Sequence, residues 1–299
     1  MNIAVNTKLS GEYNLVITKP DGTKTETGWF DNLILNQGLD RLGIDSGQIN
    51  YVQVGTGSTT PANTQTSLSV FLAGSSQLTT ANSVINSGSP LYQTSYTFNF
   101  TFSVGAVSGS ITEIGVGWGS SGATLFSRAL IVDSNDVPVS VPITAEDQLS
   151  VYYKITVSPV LTDTTGTLSI ASIPYTYRVR VAQVGSFGVQ PFVFNGNFSK
   201  AFDATTYTTG ATLGTITGYP GGAAATSLPA AALVPYVNGN YYRDATWTSS
   251  SAHTNPIQAI LFNWTQNSGY FAYQLYFDTP IPKSATNTFS IIMRFSWSR

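Results

Sequence analysis

The sequence predicts an all-β protein, built as two β-sandwich or jelly-roll-like domains with almost no helix. Apolar residues recur at every second position over long stretches, which is the period of a half-buried strand. Turn-forming residues separate these stretches, and only one short segment has helical spacing. A chain of 299 residues can bury such cores without disulfides, and it contains no cysteine.

The alternating segments define the expected strands. Because successive side chains of a strand point to opposite faces, each apolar set should be buried together. The sets are Tyr92, Thr94, Tyr96, Phe98, Phe100, Phe102 and Val104; Leu149, Val151, Tyr153, Ile155 and Val157; Tyr175, Tyr177, Val179 and Val181; Phe271, Tyr273, Leu275 and Phe277; and Phe289, Ile291, Met293, Phe295 and Trp297.

Two turns and one helix are predicted between strands. Pro20 and Gly22 within residues 19–22 favour a β-hairpin joining 13–18 to 23–28. Residues 133–136 form a second polar turn.

The predicted helix covers 36–43. Asn36 can cap it, Leu39 and Leu42 lie on one side to plug an end of a sandwich, and Gly43 can end it.

A domain boundary is expected at residues 161–174, which are small and polar and end at Pro174. This places one β-sandwich at 1–160, a linker at 161–174 and a second β domain at 175–299. In the alternative, residues 163–167 are only a hairpin loop within one continuous sandwich.

The chain carries few charges. Only 9% of residues are charged, against about 25% in an average soluble domain. None lies between Asp45 and Glu113 or between Asp203 and Arg243, where hydroxyl, amide and glycine residues dominate. Such a composition is typical of extracellular or virion structural proteins that bury surface against copies of themselves, so we expect a homo-oligomer. The net charge of -2, without a basic stripe, argues against binding nucleic acid.

Residues 1–10 lack a basic segment followed by an apolar one, so we expect no signal peptide. No apolar run approaches the length of a membrane-spanning helix, so we expect no membrane insertion.

Catalytic groups are scarce. The single histidine, His253, lies in a predicted loop, and no Gly-x-Ser-x-Gly segment supplies a nucleophile. Glu146 and Asp147 are adjacent and point in opposite directions in an extended chain. Asp133 and Asp136 could ligate calcium, but a solvated turn explains them more simply. We therefore expect no enzymatic activity, no cofactor and no metal site.

Aromatic residues beside polar ones offer the best binding candidates. Sugar rings stack on aromatic faces while amides and hydroxyls bind sugar hydroxyls. The aromatic residues that cluster in the second half are Tyr236, Tyr241, Tyr242, Trp247, Trp264 and Tyr270. From these, Tyr241, Tyr242, Trp247 and Trp264 are the candidate glycan- or partner-binding residues. Alternatively, these rings fill a β core or a subunit interface, where tyrosine and tryptophan are also enriched.

Four motifs in residues 10–160 carry a resemblance. They are N-x-G-L-D-x-L at 36–42, V-G-x-G-x-T-x-P at 54–61, I-x-E-I-G at 111–115 and L-F-S-R-A at 125–129. In this order they resemble segments of tailed-bacteriophage virion proteins associated with the tail, fibre or collar.

The resemblance implies a virion structural protein whose N-terminal domain docks on the particle and whose C-terminal domain faces outward or binds another virion protein. By analogy with fibres, the first expectation for its oligomer is a trimer. The alternative is a receptor-binding protein that recognises host-surface glycans through the C-terminal aromatic residues. Within the motifs, Glu113 and Arg128 lie on adjacent predicted strands and could pair across them.

Overall fold

The computed structural model describes residues 2–44, 49–76, 78–86, 92–184, 202–229, 231–249, 254–266 and 269–299. Within them the chain forms twenty-two strands and one helix, which confirms the all-β prediction. The elements are β1 (Asn2–Thr18), β2 (Lys24–Glu26), β3 (Phe30–Asp31), β4 (Leu33–Ile34), α1 (Asn36–Ile44), β5 (Tyr51–Gly55), β6 (Phe71–Ser75), β7 (Leu78–Asn86), β8 (Gln93–Thr101), β9 (Gly109–Ile111), β10 (Glu113–Gly117), β11 (Leu125–Leu130), β12 (Val141–Ile143), β13 (Gln148–Pro159), β14 (Thr164–Ile170), β15 (Ile173–Val184), β16 (Phe202–Tyr207), β17 (Ala224–Leu228), β18 (Ala232–Leu233), β19 (Tyr242–Ser249), β20 (Ile257–Gln266), β21 (Gly269–Ile281) and β22 (Phe289–Ser298).

The described strands form four sheets. A nine-stranded sheet follows the order β18-β19-β22-β1-β13-β8-β7, with β2 and β3 also paired to β1. A five-stranded sheet has the order β4-β11-β10-β5-β6, and a six-stranded sheet has the order β14-β15-β21-β20-β16-β17. The short strands β9 and β12 form a pair of their own.

Strand β1 connects the two halves of the sequence. It pairs antiparallel with β13 along Thr7–Thr18 and parallel with β22 along Asn2–Lys8. Its odd-numbered side chains from residue 3 onward are buried, although only 13–18 were predicted as strand. The polar Thr7 and the small Gly11 interrupt the apolar series, which hid the pattern.

The buried face of the nine-stranded sheet packs against the five-stranded sheet and the six-stranded sheet. The hydroxyls of Tyr13 on β1 and Ser127 on β11 are 2.8 Å apart. On the same face of β1, the hydroxyl of Thr7 lies 3.3 Å from that of Tyr273 on β21. One continuous cluster of buried apolar side chains includes residues from all three sheets. Two sandwiches therefore share one sheet, and residues 1–160 and 175–299 both contribute strands to it.

The predicted alternation is confirmed in the long strands. All five apolar positions of β13 from Leu149 to Val157 are buried, as are the five of β22 from Phe289 to Trp297. In β8, Thr94 to Phe100 alternate as predicted, but Val104 lies beyond the strand and is 60% exposed. The prediction that Val104 is buried is therefore wrong.

The linker predicted at 161–174 is instead a hairpin. Strand β14 pairs with β15 from Thr164↔Val179 to Ile170↔Ile173. Ala171 and Ser172 form the two-residue turn, with φ of 48° and 65°. Positive φ at both central positions matches the twist of a hairpin. Such positions usually hold Asn or Gly, so Ala171 and Ser172 carry no recognisable turn signal. Residues 163–167 belong mostly to a strand and are not a loop.

The predicted helix is confirmed, with one change at its end. Leu39 and Leu42 of α1 are buried, as expected for a plug. Gly43 does not end the helix, which continues to Ile44. A Cβ atom at Gly43 would collide with the ring of Tyr236, so glycine permits close approach of the segment from the second half of the chain.

Candidate functional site

The four motifs that carry the resemblance fold together around the five-stranded sheet. Strands β5, β10 and β11 are neighbours in it, and α1 contacts β11. The amide of Leu35 donates to the Phe126 carbonyl at 2.9 Å, and the side-chain amide of Gln37 donates to the Leu125 carbonyl at 2.7 Å. Residues far apart in sequence thus form one structural unit.

The predicted pairing of Glu113 with Arg128 is confirmed. Nε and Nη2 of Arg128 both donate to Oε2 of Glu113, at 3.0 and 2.6 Å. Both side chains are fully buried. In the antiparallel register Arg128 faces Gly115, two residues from Glu113, so the ion pair is diagonal across β10 and β11.

The ion pair also organises the loop between β5 and β6. Glu113 accepts the backbone amides of Gly57, Ser69 and Val70 at 3.0, 3.0 and 2.7 Å. These bonds satisfy both oxygens of a buried carboxylate and bring the two ends of the loop together.

Arg128 holds the middle of the same loop. Its guanidinium donates to Oε1 of Gln65 at 2.6 Å and to the Thr59 carbonyl at 2.8 Å. A Cβ atom at Gly55 or Gly57 would crowd Oε1 of Glu113, so the glycines of this motif leave room for the carboxylate. The motifs therefore build a scaffold around a buried charge pair.

Strand β6, which follows this loop, presents apolar side chains at the edge of the five-stranded sheet. Within the described residues it pairs with β5 alone. Val70, Phe71 and Leu72 are 52%, 44% and 37% exposed. Because adjacent residues of a strand point to opposite faces, exposure of both Phe71 and Leu72 means that neither face of this edge is covered. We call Val70, Phe71 and Leu72 the edge patch.

The structure places the predicted aromatic candidates mostly in packed positions. Trp247 is fully buried, with its ring centroid 4.6 Å from that of Phe262. A ring without exposed surface cannot stack on a sugar, so the prediction that Trp247 lies on a binding surface is wrong. The alternative that such rings fill the β core describes it correctly.

Tyr241 and Tyr242 are half-buried. Tyr241 has a φ of 53°, and its carbonyl accepts the Trp297 amide at 2.9 Å. Burial raises the pKa of the Tyr241 phenol above its usual value. The guanidinium of Arg294 covers the Tyr242 ring, 3.6 Å from its centroid, and is itself held by Asp244. The structure thus gives both tyrosines packing partners within the chain.

Other predicted residues lie partly outside the described chain. The backbone of Trp264 pairs with Phe202 in the six-stranded sheet, but its side chain lies outside the described part, as do the side chain of Tyr270 and all of His253. The hydroxyl of Tyr236 donates to Asp40 on α1 at 2.6 Å, which ties the second half to the motif helix.

The acidic residues considered for catalysis have structural roles. Asp147 is buried and accepts Lys19 Nζ at 2.9 Å and the Thr144 amide at 2.8 Å, whereas Glu146 is exposed. Asp133 accepts the amides of Asn135 and Val137 within its turn. These backbone bonds lower the pKa of Asp133, and the bonds from Thr144 and Lys19 lower that of Asp147.

Two exposed features were not predicted from the sequence. They are the edge patch and Trp29, whose side chain is 44% exposed. A run of three apolar residues after a long polar loop was the available signal for the patch.

Among the described residues, no three His, Asp or Glu side chains lie together as a metal-binding group.

The comparisons with known proteins add no assignment: no protein-family model, curated protein or solved structure matches the chain. No helix in the described ranges is long and apolar enough to cross a membrane.

Proposed function

We propose that this chain is a non-enzymatic structural component of a bacteriophage virion, in its tail, fibre or collar apparatus, and that it assembles through subunit interfaces. The observation that carries the assembly is the edge patch. An edge strand with unpaired backbone groups and exposed apolar side chains is a template for pairing with another chain. A soluble protein keeps such an edge only when the working assembly covers it.

The occupant we propose for the edge patch is a second copy of this chain. The patch lies within the long uncharged stretch between Asp45 and Glu113, so two copies approach without charge repulsion. Phe71 is 44% exposed, so covering its remaining surface contributes on the order of 1 kcal/mol per subunit, a little under half of the value for burying a whole phenylalanine side chain. The trimer that the fibre analogy implies requires the edge patch of each subunit to contact a different surface of the next one, in a head-to-tail contact repeated around a closed ring, with other virion proteins bound outside the patch.

The tail, fibre or collar location is supported by the motif resemblance and the low charge. The four motifs that carry this resemblance pack together as one structural unit, which is consistent with a shared scaffold. The proposed location of the protein is therefore the virion.

The test of assembly is the oligomeric state. Purified wild type should form oligomers at micromolar concentration in analytical ultracentrifugation, and Phe71→Asp should shift them toward monomers. Trp29→Ala, which removes an equally exposed ring elsewhere, serves as the matched control and should leave the oligomer intact. A wild-type monomer at that concentration would overturn the proposal.

The virion location needs a separate measurement. Immunogold microscopy and mass spectrometry of purified particles of the parent virus should both detect the protein. Its absence from particles by both methods contradicts the location, whatever the oligomeric state.

A further inference from the structure

The outer face of the nine-stranded sheet carries a depression next to Trp29. It has a volume of about 350 Å³ and is lined by Asn14, Val16, Lys24, Thr25, Glu26, Trp29 and Tyr152. Trp29 is largely exposed, whereas the other tryptophans with described side chains, Trp118, Trp247 and Trp297, are half-buried or buried. We propose that this depression binds a neutral sugar ring of a glycan chain.

A local irregularity of the sheet projects Trp29 over this face. Val16 pairs with Glu26 and Tyr13 pairs with Phe30, so the three residues 27–29 stand opposite only two on β1. One extra residue in a strand makes a bulge, which redirects a side chain. Gly28 has the positive φ of 78° that the bulge requires, and the next residue after Trp29, Phe30, is buried.

The indole is held in place before any ligand arrives. Nζ of Lys154 lies 4.7 Å from the centroid of the Trp29 ring and 2.6 Å from Oε2 of Glu12. Lys154 and Glu12 face each other across β13 and β1. A fixed aromatic platform lowers the entropy cost of binding, as in other preorganised sites.

Polar groups stand beside the platform. Asn14 pairs with Tyr152 in the register of β1 and β13, and Nδ2 of Asn14 donates to Glu26 at 3.2 Å. The Lys24 ammonium supplies donors and the Glu26 carboxylate supplies acceptors, and both side chains lie on this face because they pair in register with outward-facing residues of β1. A pyranose needs this combination, since it has apolar C–H faces for stacking and hydroxyls around its rim.

The charges disfavour an anionic ligand. On this part of the face the carboxylates of Glu12, Glu26 and Asp31 outnumber the ammonium groups of Lys24 and Lys154. An anionic phosphate or an acidic glycan would therefore be repelled here, whereas a neutral sugar would not.

The experiment is a printed array of neutral hexose and N-acetylhexosamine oligosaccharides, probed with full-length wild type, Trp29→Ala and Phe71→Ala. Wild type should bind a subset of these glycans. Trp29→Ala should weaken binding by at least about tenfold, the effect expected for loss of a central aromatic contact. Phe71→Ala is the control, because it removes an equally exposed ring from the edge patch. Its glycan binding, measured in solution by calorimetry, should be retained.

A second readout does not depend on a variant. A bound oligosaccharide should reduce quenching of wild-type tryptophan fluorescence by acrylamide, because it covers the exposed indole. Unchanged binding by a folded Trp29→Ala protein, binding confined to charged glycans, or no binding by wild type up to millimolar concentration would each overturn the glycan site. The glycan site and the proposed assembly can be tested independently. A Phe71→Asp protein that no longer forms oligomers but still binds glycan would show that the two do not depend on each other.

Discussion

The buried Glu113–Arg128 pair is the sharpest test of how the motifs stabilise this fold. Replacing Arg128 with Met keeps much of the side-chain volume but removes the four hydrogen bonds that its guanidinium donates to Glu113, Gln65 and Thr59. The change leaves the Glu113 carboxylate buried without its counter-ion. Removing one partner of a buried ion pair costs about 3–5 kcal/mol in free energy of unfolding.

The assay is thermal unfolding followed by circular dichroism at neutral pH. Since about 1 kcal/mol shifts the midpoint by roughly 2–4 °C in domains of 150–250 residues, the expected drop for Arg128→Met is on the order of 10 °C. The matched control is Arg178→Met. Arg178 pairs with Asp278 at 2.7 Å, but the two side chains are 42% and 43% exposed. An exposed pair contributes about 0–1 kcal/mol, so the control should shift the midpoint by only a few degrees.

Two results would refute this reasoning. Equal shifts for Arg128→Met and Arg178→Met would mean that burial adds nothing to the pair. A variant with the two charges exchanged between positions 113 and 128 provides the second test. The exchanged pair keeps the salt bridge but leaves the buried amides of Gly57, Ser69 and Val70 without their acceptor, so it should be at least as destabilised as Arg128→Met. An exchanged pair as stable as wild type would mean that the backbone bonds of Glu113 contribute nothing to stability.

Two further predictions concern Gly57 and Asp147. Gly57→Ala places a Cβ atom against Oε1 of Glu113 and the side chain of Ser69, and it should lower the free energy of unfolding by about 1–3 kcal/mol, measured by denaturant titration. The lowered pKa of Asp147 means that its contribution to stability is present above the unfolded-state pKa of about 3.9 and is lost as pH falls through the lower folded-state value. Between roughly pH 6 and roughly pH 2, the midpoint of thermal unfolding should therefore fall further for wild type than for Asp147→Asn, because only wild type loses an ionised carboxylate at this position. Equal falls for the two proteins would contradict this role.

The long strands were predictable because burial of one face imposes a period of two. In β13 and β22 every predicted inward position is buried, since both strands lie in the middle of the nine-stranded sheet. Strand β1 escaped prediction for most of its length because a central strand tolerates Thr7 and Gly11 where local packing requires them. A Cβ atom at Gly11 would collide with the hydroxyl of Tyr153, so here glycine serves packing across the sheet.

The assignment of strands to sheets could not be predicted from local patterns. The parallel pairing of β1 with β22 joins residues nearly a chain length apart, from Asn2↔Ile292 to Lys8↔Ser298. Nothing in the alternation of either strand specifies its neighbour. The predicted division into 1–160 and 175–299 followed sequence order, whereas the shared sheet is set by this long-range pairing.

The aromatic site residues illustrate the same limit. Local sequence does not distinguish a tryptophan that fills a core from one that faces solvent, because Trp247 lies between two threonines and is buried, whereas Trp29 lies beside Phe30 and is exposed. Trp247 alternates within β19 and points inward, whereas Trp29 is displaced by a bulge and is exposed. The decisive feature is the backbone register, which becomes visible only when the strands are paired.

The contacts of the buried ion pair explain why replacing Glu113 and Arg128 with apolar residues should lower the stability of the protein. In many proteins a buried ion pair can be exchanged for apolar residues of similar volume without loss of stability. Here Glu113 also accepts three amides from a loop whose ends, Gly57 and Ser69–Val70, depend on its carboxylate. Apolar side chains would leave those buried amides without acceptors, at about 1–3 kcal/mol each. Because Val70 is itself part of the edge patch, the same carboxylate that stabilises the motif scaffold also positions the surface proposed for assembly.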